Sequence, residues 1–411
     1  MRIVYLNPVG ALGGAERSLL DVMASVRQAD PSARLSLVVC TDGPLLEHAR
    51  RLGVWVVLLP MPDALVELGD SGWRDRPPLE AFITLARRGP AAAWTTWRYV
   101  HRLGRAVRAL RPDVVHSNGI KCHFLTGLAR TRPAPVLWHI RDFLSNRPLM
   151  GHALRWASTR AHAGIAISQA VGADARTVLK RFPVVPIYNA IDTDHFSPGA
   201  GDGQLLDRLA GLEPAPYAVR VGLVATFARW KGHEVFLEAA ARVLRDRPQA
   251  PTRFYIVGGP IYRTHGSQFS EGELREKAGS LGIAPQVGFI GFQENTADVY
   301  RALDVVVHAS TQPEPFGRTI VEAMACARPV IVAQAGGAAE LFTAGADAVG
   351  VPPGDAAALA SAIRQLIHDP EARQRLAAHA RRTAVERFSR QRFGRQILST
   401  YRRILPSSSA C

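Results

Sequence analysis

Apolar positions along this chain gather in short β-rich runs separated by stretches with helical spacing. The runs fall at residues 2–6, 35–39, 54–58, 114–117, 136–139 and 164–167, and again at 219–225, 254–257, 287–290, 305–308, 330–333 and 348–351. Runs this short and this apolar read as strands buried on both faces, and their alternation with helices implies parallel sheets with helices on either side. The expected fold class is therefore α/β, with two doubly wound domains. Residues 194–213 concentrate Ser, Pro, Gly and Asp between the two sets of runs, a linker composition. This places one domain at 1–195 and a second at 196–386, followed by a basic amphipathic helix at 387–405 and a disordered tail at 406–411.

At 411 residues the chain is long for one core and comfortable for two domains of about 200 residues each. Its 47% hydrophobic and 21% charged residues are those of a globular protein. The longest apolar run, 54–59, falls far short of the roughly 18 residues that cross a bilayer, and 1–6 reads as a first strand rather than a signal peptide. A cytoplasmic location follows as the expectation. Cys40, Cys122, Cys326 and Cys411 are scattered singly, which argues against a zinc site or a disulfide framework, and no metal or other cofactor is expected. The net charge of +15 is mostly arginine, since Lys121, Lys180, Lys231 and Lys277 are the only lysines. Such a balance attracts nucleic acid, anionic membranes or phosphorylated substrates. No helix-turn-helix, zinc finger or aromatic-basic strand is present and the cations are spread through both halves, so nucleic acid is set aside as a partner.

The most chemically informative segment is QPEPFGRTIVEAMACARP at 312–329. Pro313 and Pro315 hold an extended loop, Gly317 permits a close turn, and residues 318–327 form a helix. The loop leaves the carboxyl end of a strand, where open α/β sheets bind ligands. Free N–H groups at Phe316, Gly317, Arg318 and Thr319 favour a phosphate or diphosphate, while Glu314 and Glu322 on either side accept hydrogen bonds from sugar or ribose hydroxyls. Two surface acids on an ordinary helix are the plain alternative. Lys231, just past the strand at 219–225, is placed to neutralise phosphate charge. Gly13 and Gly14 lie in a strand-to-helix turn that serves backbone approach to a diphosphate or packing alone. Gly258 and Gly259 close another strand and allow a nucleotide near, with Phe292 and Gln293 facing the base. Ser168 and Asn189 read as a helix cap and a turn residue. Along 94–110, Val100, Leu103, Val107 and Leu110 form an apolar stripe. Opposite them Arg98, Arg102 and Arg105 cluster beside Trp94, with Arg87, Arg88 and Trp97 nearby. That face is either a solvated basic surface or a patch for anionic headgroups or a lipid diphosphate acceptor.

Besides EPFG and VEAMA, the chain carries NPVGALGGAERSLL (7–20), VLWHIRDF (136–143), IAISQAV (165–171), YNAIDTDHFSP (188–198), WKGHEVFLEAA (230–240), YIVGGP (255–260), GFIGFQ (288–293) and GGAAEL (336–341). In this order the segments resemble the retaining glycosyltransferases of family 4 over nearly the whole chain. The resemblance implies the GT-B fold, two facing Rossmann-like domains with a cleft between them, the nucleotide mostly on the second and the acceptor mostly on the first. It implies that Glu314 meets the sugar, Glu322 the ribose, the Gly13–Gly14 loop the diphosphate and acceptor, and His139 the sugar near its anomeric centre. His116 is the competing histidine, and pairing of Arg141 with Asp142 is the plain account of those two charges. The family pairs the lysine with an arginine five positions earlier, where this chain has Thr226. Arg229 is the candidate to replace that guanidinium.

The expected function is transfer of a hexose, with retention, from a nucleotide-diphosphate sugar to a hydroxyl of a glycan or lipid-linked acceptor. An anionic membrane surface is a further expected partner, giving a peripheral location. Specificity for sugar, base and acceptor falls to loops such as residues 60–90. An epimerase or sugar phosphorylase of similar architecture fits EPFG and WKG less well. A non-catalytic nucleotide-binding subunit that recruits a membrane partner is the alternative from another class.

Overall fold

Every residue is buried in the strands β4 (Val114–Asn118) and β5 (Val136–Ile140), and likewise in β8 (Val219–Val224) and β11 (Val305–His308). A strand covered on both faces has no solvent side, which is why these sequences are rich in Val, Ile and Leu without a regular alternation of apolar and polar residues. The computed structural model describes residues 1–62, 78–129, 131, 133–246, 251–260 and 266–406, and of residues 78–93, 148 and 149 the backbone alone. Two compact units divide the chain: Met1–Ala190 with Arg390–Cys411, and Ile191–Ser389.

The first unit holds a seven-stranded sheet in the order β3-β2-β1-β4-β5-β6-β7, with β1 (Arg2–Asn7), β2 (Arg34–Val39), β3 (Trp55–Leu58), β6 (Ala163–Ala166) and β7 (Val184–Pro186) completing it. The second unit holds six strands in the order β10-β9-β8-β11-β12-β13, adding β9 (Thr252–Val257), β10 (Val287–Ile290), β12 (Val330–Ala333) and β13 (Val349–Val351). All pairings are parallel. Both units are thus doubly wound α/β domains, as the sequence predicts. In each, the strand order reverses beside the first strand, between β1 and β4 and between β8 and β11. The carboxyl ends flanking such a reversal form the crevice where these sheets receive ligands. Twelve strands were legible as apolar runs. The short β7 was not, because only Val184 of its three residues is buried and Pro186 ends it.

A single helix is expected at 387–405. The chain instead ends one helix, Pro370–Phe388, at Ser389, whose extended backbone (φ −72°, ψ 149°) separates it from Arg390–Ile404. The former belongs to the second unit and the latter to the first. Within the first unit, Arg390–Ile404 lies against the helix Gly14–Ala29. A Cβ on Gly394 would stand 2.2 Å from the carbonyl oxygen of Ser25, so only glycine admits this approach. Arg390 Nη2 pairs with the buried Asp21 at 2.6 Å, while Phe393, Ile397 and Tyr401 enter the first unit's core. Of the loop expected at 60–90, residues 63–77 lie outside the described residues, as does the tail 407–411, whereas 78–90 open the helix Pro78–Ala109.

Candidate active site

In the second unit, β11 ends at His308 and the chain runs through Ala309 and Ser310 into the Pro-rich loop. Two backbone bonds pin that loop at Glu314: its N–H donates to Ala335 at 3.3 Å, and its carbonyl accepts from Gly337 at 2.7 Å. Gly317 caps the helix Arg318–Ala325 in the left-handed region, and Phe316 is buried beneath it. From the other side of the strand reversal, β8 leads into a single 3-10 turn, Arg229–Lys231. Gly232 follows at φ +78°, and a Cβ there would lie 1.9 Å from the carbonyl oxygen of Ala309. Absence of a side chain therefore lets the lysine turn press against the end of β11.

These approaches converge on one carboxylate oxygen. Oε2 of Glu314 accepts from Lys231 Nζ at 2.6 Å and from Ser310 Oγ at 3.1 Å, and lies 3.2 Å from His308 Nε2. The Glu314 side chain is only 10% exposed. Burial pushes its carboxyl up, but the Lys231 ammonium and the His308 hydrogen bond outweigh that and hold it well below the usual range. Glu314 is thus a fixed anion. Lys231 also sits 4.0 Å over the Trp230 ring.

Glu322, one turn into the helix, is likewise buried. Its Oε1 pairs with Arg318 Nε at 2.6 Å and its Oε2 accepts from the Tyr300 hydroxyl at 3.0 Å. Burial, with Glu322 beside it, drives the Tyr300 hydroxyl far above its usual value, so it stays a donor. Thr319 is half-buried at the same helix start, as is Thr226 past β8. Arg229 does not join Lys231: its Nη2 pairs with Glu273 at 2.6 Å, its Nε donates to Gly266, and its guanidinium covers Phe269 at 4.3 Å. Gly258 donates to the Ile290 carbonyl and Gly259 accepts from Phe227, which ties the ends of β8, β9 and β10 together. Phe292 is 52% exposed, and Gln293 turns back to the carbonyl of Gly291 at 3.3 Å.

In the first unit, Gly13 caps the helix Gly14–Ala29, and Glu16 reaches back to its N–H at 3.2 Å. A polar chain runs from there across the strand reversal. Asn7 Nδ2 meets Glu16 at 3.4 Å, and Asn118 Nδ2 donates to Asn7 Oδ1 at 2.6 Å. Arg141 bonds Asn118, lies 3.3 Å from Asn189 Oδ1 and 3.3 Å from His139 Nδ1. Asp142 pairs with Arg147 instead, so the plain pairing of Arg141 with Asp142 gives way to this network. His139 and His116 are fully buried and 3.1 Å apart. Burial first, then Arg141, holds both rings well below the usual histidine range, so both are neutral. Ser168 caps the helix Gln169–Leu179, as expected.

The helix Pro78–Ala109 carries the basic stripe. Val100, Leu103 and Val107 are buried, whereas Trp94, Trp97, Arg98, Arg102 and Arg105 are exposed. Trp94 and Trp97 stack at 4.9 Å, and this face lines a groove of about 440 Å³. Arg87 and Arg88 fall on the same helix, with side chains outside the described residues. Asn7, Asn118, Glu16, His308, Ser310 and Tyr401 were not singled out as site residues from sequence. A polar residue closing an apolar run, as in YLN and VVHSN, is the signal that marks the two asparagines.

The profile described as "Glycosyltransferase Family 4" matches residues 12–195, and that described as "Glycosyl transferases group 1" matches residues 219–383. A D-inositol 3-phosphate glycosyltransferase of Rhodococcus erythropolis is 35% identical over 229 residues, 53% of this chain and 50% of that protein. The lipopolysaccharide core biosynthesis mannosyltransferase LpsB of Rhizobium meliloti is 34% identical over 199 residues, 48% of this chain and 53% of that protein. The chain spans about half the length of the curated relatives it matches. Among solved structures, Anabaena Alr3699/HepE in complex with UDP and glucose superposes with a TM-score of 0.77 at 26% identity, covering 97% of this chain and 98% of that one. Two parallel-sheet α/β domains matched over this extent constitute the GT-B fold. On the strength of both profiles and that structural likeness, this chain belongs to glycosyltransferase family 4.

Proposed function

We propose that this protein transfers a hexose, with retention of configuration, from a nucleotide-diphosphate sugar to a hydroxyl of a glycan or lipid-linked acceptor. The observation that carries the reading is the Glu314 carboxylate, ionised, buried and spoken for at Oε2 by Lys231, His308 and Ser310. It stands at the carboxyl end of β11 beside the strand reversal, next to the Gly317-capped helix start. Glu314 would accept hydrogen bonds from the sugar hydroxyls, and Glu322, fixed by Arg318 and Tyr300, from the ribose. Lys231 and the N–H groups at Phe316 to Thr319 would meet the charge that grows on the departing diphosphate. Gly13, Gly14 and His139 would complete the donor contacts, and Gly258, Gly259, Phe292 and Gln293 the nucleotide contacts. That the neighbouring Anabaena structure holds UDP and glucose supports a nucleotide-sugar donor. A mannosyltransferase of lipopolysaccharide core among the relatives supports a saccharide acceptor. The exposed Trp94, Trp97, Arg98, Arg102 and Arg105 would meet an anionic membrane or a phosphorylated acceptor.

A second reading, a non-catalytic nucleotide-binding subunit, is favoured by one feature. Thr226 replaces the family arginine and Arg229 is held by Glu273, so Lys231 lacks that second cation. Incubation with radiolabelled UDP-, GDP- and ADP-sugars separates the two. Release of nucleotide with at least one donor, abolished in Glu314→Gln, supports the transferase. Donor binding that stabilises the protein without any turnover supports the subunit.

A further inference from the structure

Arg141 settles where the protons lie in the first unit. A guanidinium only donates, so His139 Nδ1, 3.3 Å from Arg141 Nη2, is an acceptor and bears no proton. The ring is neutral, so its single proton sits on Nε2. His116 Nε2 stands 3.1 Å from the same Nδ1 and must donate to it. That leaves His116 Nδ1 to accept from the Tyr401 hydroxyl at 2.7 Å. Tyr401 reaches this point from the helix Arg390–Ile404, and its ring stands edge-on to His116 at 5.8 Å. The Tyr5 ring lies 5.1 Å from His116 and the Phe393 ring 6.4 Å from His139. At the far end, His139 Nε2 is buried and has no hydrogen-bond partner among the described residues. A buried donor left unmet points to a ligand atom that meets it.

We propose that Arg141, with His116 and Tyr401 completing the chain, is a positioning residue that holds His139 as the tautomer protonated on Nε2, so that His139 donates a hydrogen bond to a sugar hydroxyl oxygen of the ligand and takes no proton from it. The ligand half rests on the reading that His139 meets the donor sugar. The tautomer half stands without it. An enzyme so built uses His139 to orient the sugar, and the acceptor proton must leave by another group.

The test is the imidazole 15N spectrum of the ligand-free full chain, labelled at histidine, near neutral pH. Both His116 and His139 are expected as single Nε2–H tautomers. In Arg141→Met, which removes the donor that fixes Nδ1, His139 should lose its single-tautomer signature, and kcat/KM for the nucleotide-sugar should fall roughly threefold to tenfold. A protonated Nδ1 on His139 in the wild-type spectrum overturns the lock, as does an Arg141→Met spectrum identical to wild type. Since the first of these needs no variant, a misfolded mutant does not blunt it. A locked spectrum together with normal transfer by His139→Gln overturns the ligand half and leaves the tautomer half standing.

Discussion

Lys231 and Glu314 lie eighty-three positions apart in the chain and 2.6 Å apart in the fold, and neither is more than a fifth exposed. Removing one partner of a pair so placed leaves a charge in surroundings that no longer compensate it. Lys231→Ala should therefore cost about 3 kcal/mol in a denaturant titration, whereas Glu314→Gln, which withdraws the anion and keeps an acceptor, should cost nearer 1 kcal/mol. A Lys231→Ala cost within 0.5 kcal/mol of zero would mean that the ion pair adds nothing measurable. The depressed Glu314 value carries a sign. Its stabilisation is complete above the ordinary carboxyl value of 4.5 and fades as pH drops through the lower folded value. What sequence reading found at this scale were the residues whose neighbours announce them: Glu314 between two prolines, Lys231 before a glycine at a strand end. His308 and Ser310 closed an ordinary apolar run, and nothing local signalled that both would turn to Glu314. Arg229 was legible as a cation but not as a partner of Glu273, because that pairing depends on where residues 266–273 fold.

Helices test the limits of local reading more sharply than strands do. The apolar stripe at 94–110 gave the buried face of Pro78–Ala109 correctly, since a 3.6-residue period records burial directly. The break at Ser389 left no such mark, for FSRQRF carries neither glycine nor proline, and an extended serine between two helices is imposed by the tertiary context. Arg390–Ile404 then supplies Tyr401 to His116 across 285 positions, a partnership no window along the chain would contain. Close approach of this helix to Gly14–Ala29 rests on Gly394. Gly394→Val should push the two apart at a cost of about 1–3 kcal/mol, seen as faster amide exchange in Gly14–Ala29 and β1. Unchanged protection there would show that the helix is not braced through this contact. On Pro78–Ala109, the exposed arginines beside stacked tryptophans carry a separate expectation. Replacing Arg98, Arg102 and Arg105 together by alanine should abolish co-sedimentation with phosphatidylglycerol vesicles at low salt. Retained sedimentation would move any membrane contact elsewhere.

Across the whole chain, buried histidines are distributed unevenly, with a consequence for acid stability. His116, His123 and His139 lie in the first unit and His233 and His308 in the second, all buried. Burial above all lowers four of them, His123 to about 3, His233 to about 4, and His116 and His139 well below the usual value. Above pH 6.5 these rings are neutral whether folded or unfolded, and they contribute nothing to pH dependence. Below it the unfolded chain takes up protons that the folded rings refuse, so stability falls as pH falls, by about 1.4 kcal/mol per pH unit for each histidine. Glu16 acts oppositely, since burial raises its carboxyl and the folded state then holds a proton the unfolded state lacks. The loss at Glu314 falls below the ordinary carboxyl value and the offset at Glu16 is that of one group against three histidines, so the histidines dominate from pH 6.5 to about 5.5. The first unit should therefore lose stability roughly three times as steeply as the second in that interval. Amide exchange on the intact chain at pH 7 and pH 5.5, corrected for intrinsic exchange rates, measures this. The slowest amides of β4 and β5 should lose far more protection than those of β8 and β11. Equal losses in both sheets would mean that the first unit admits protons to these rings while folded, and the neutral network joining Tyr401 to His139 would fall with that result.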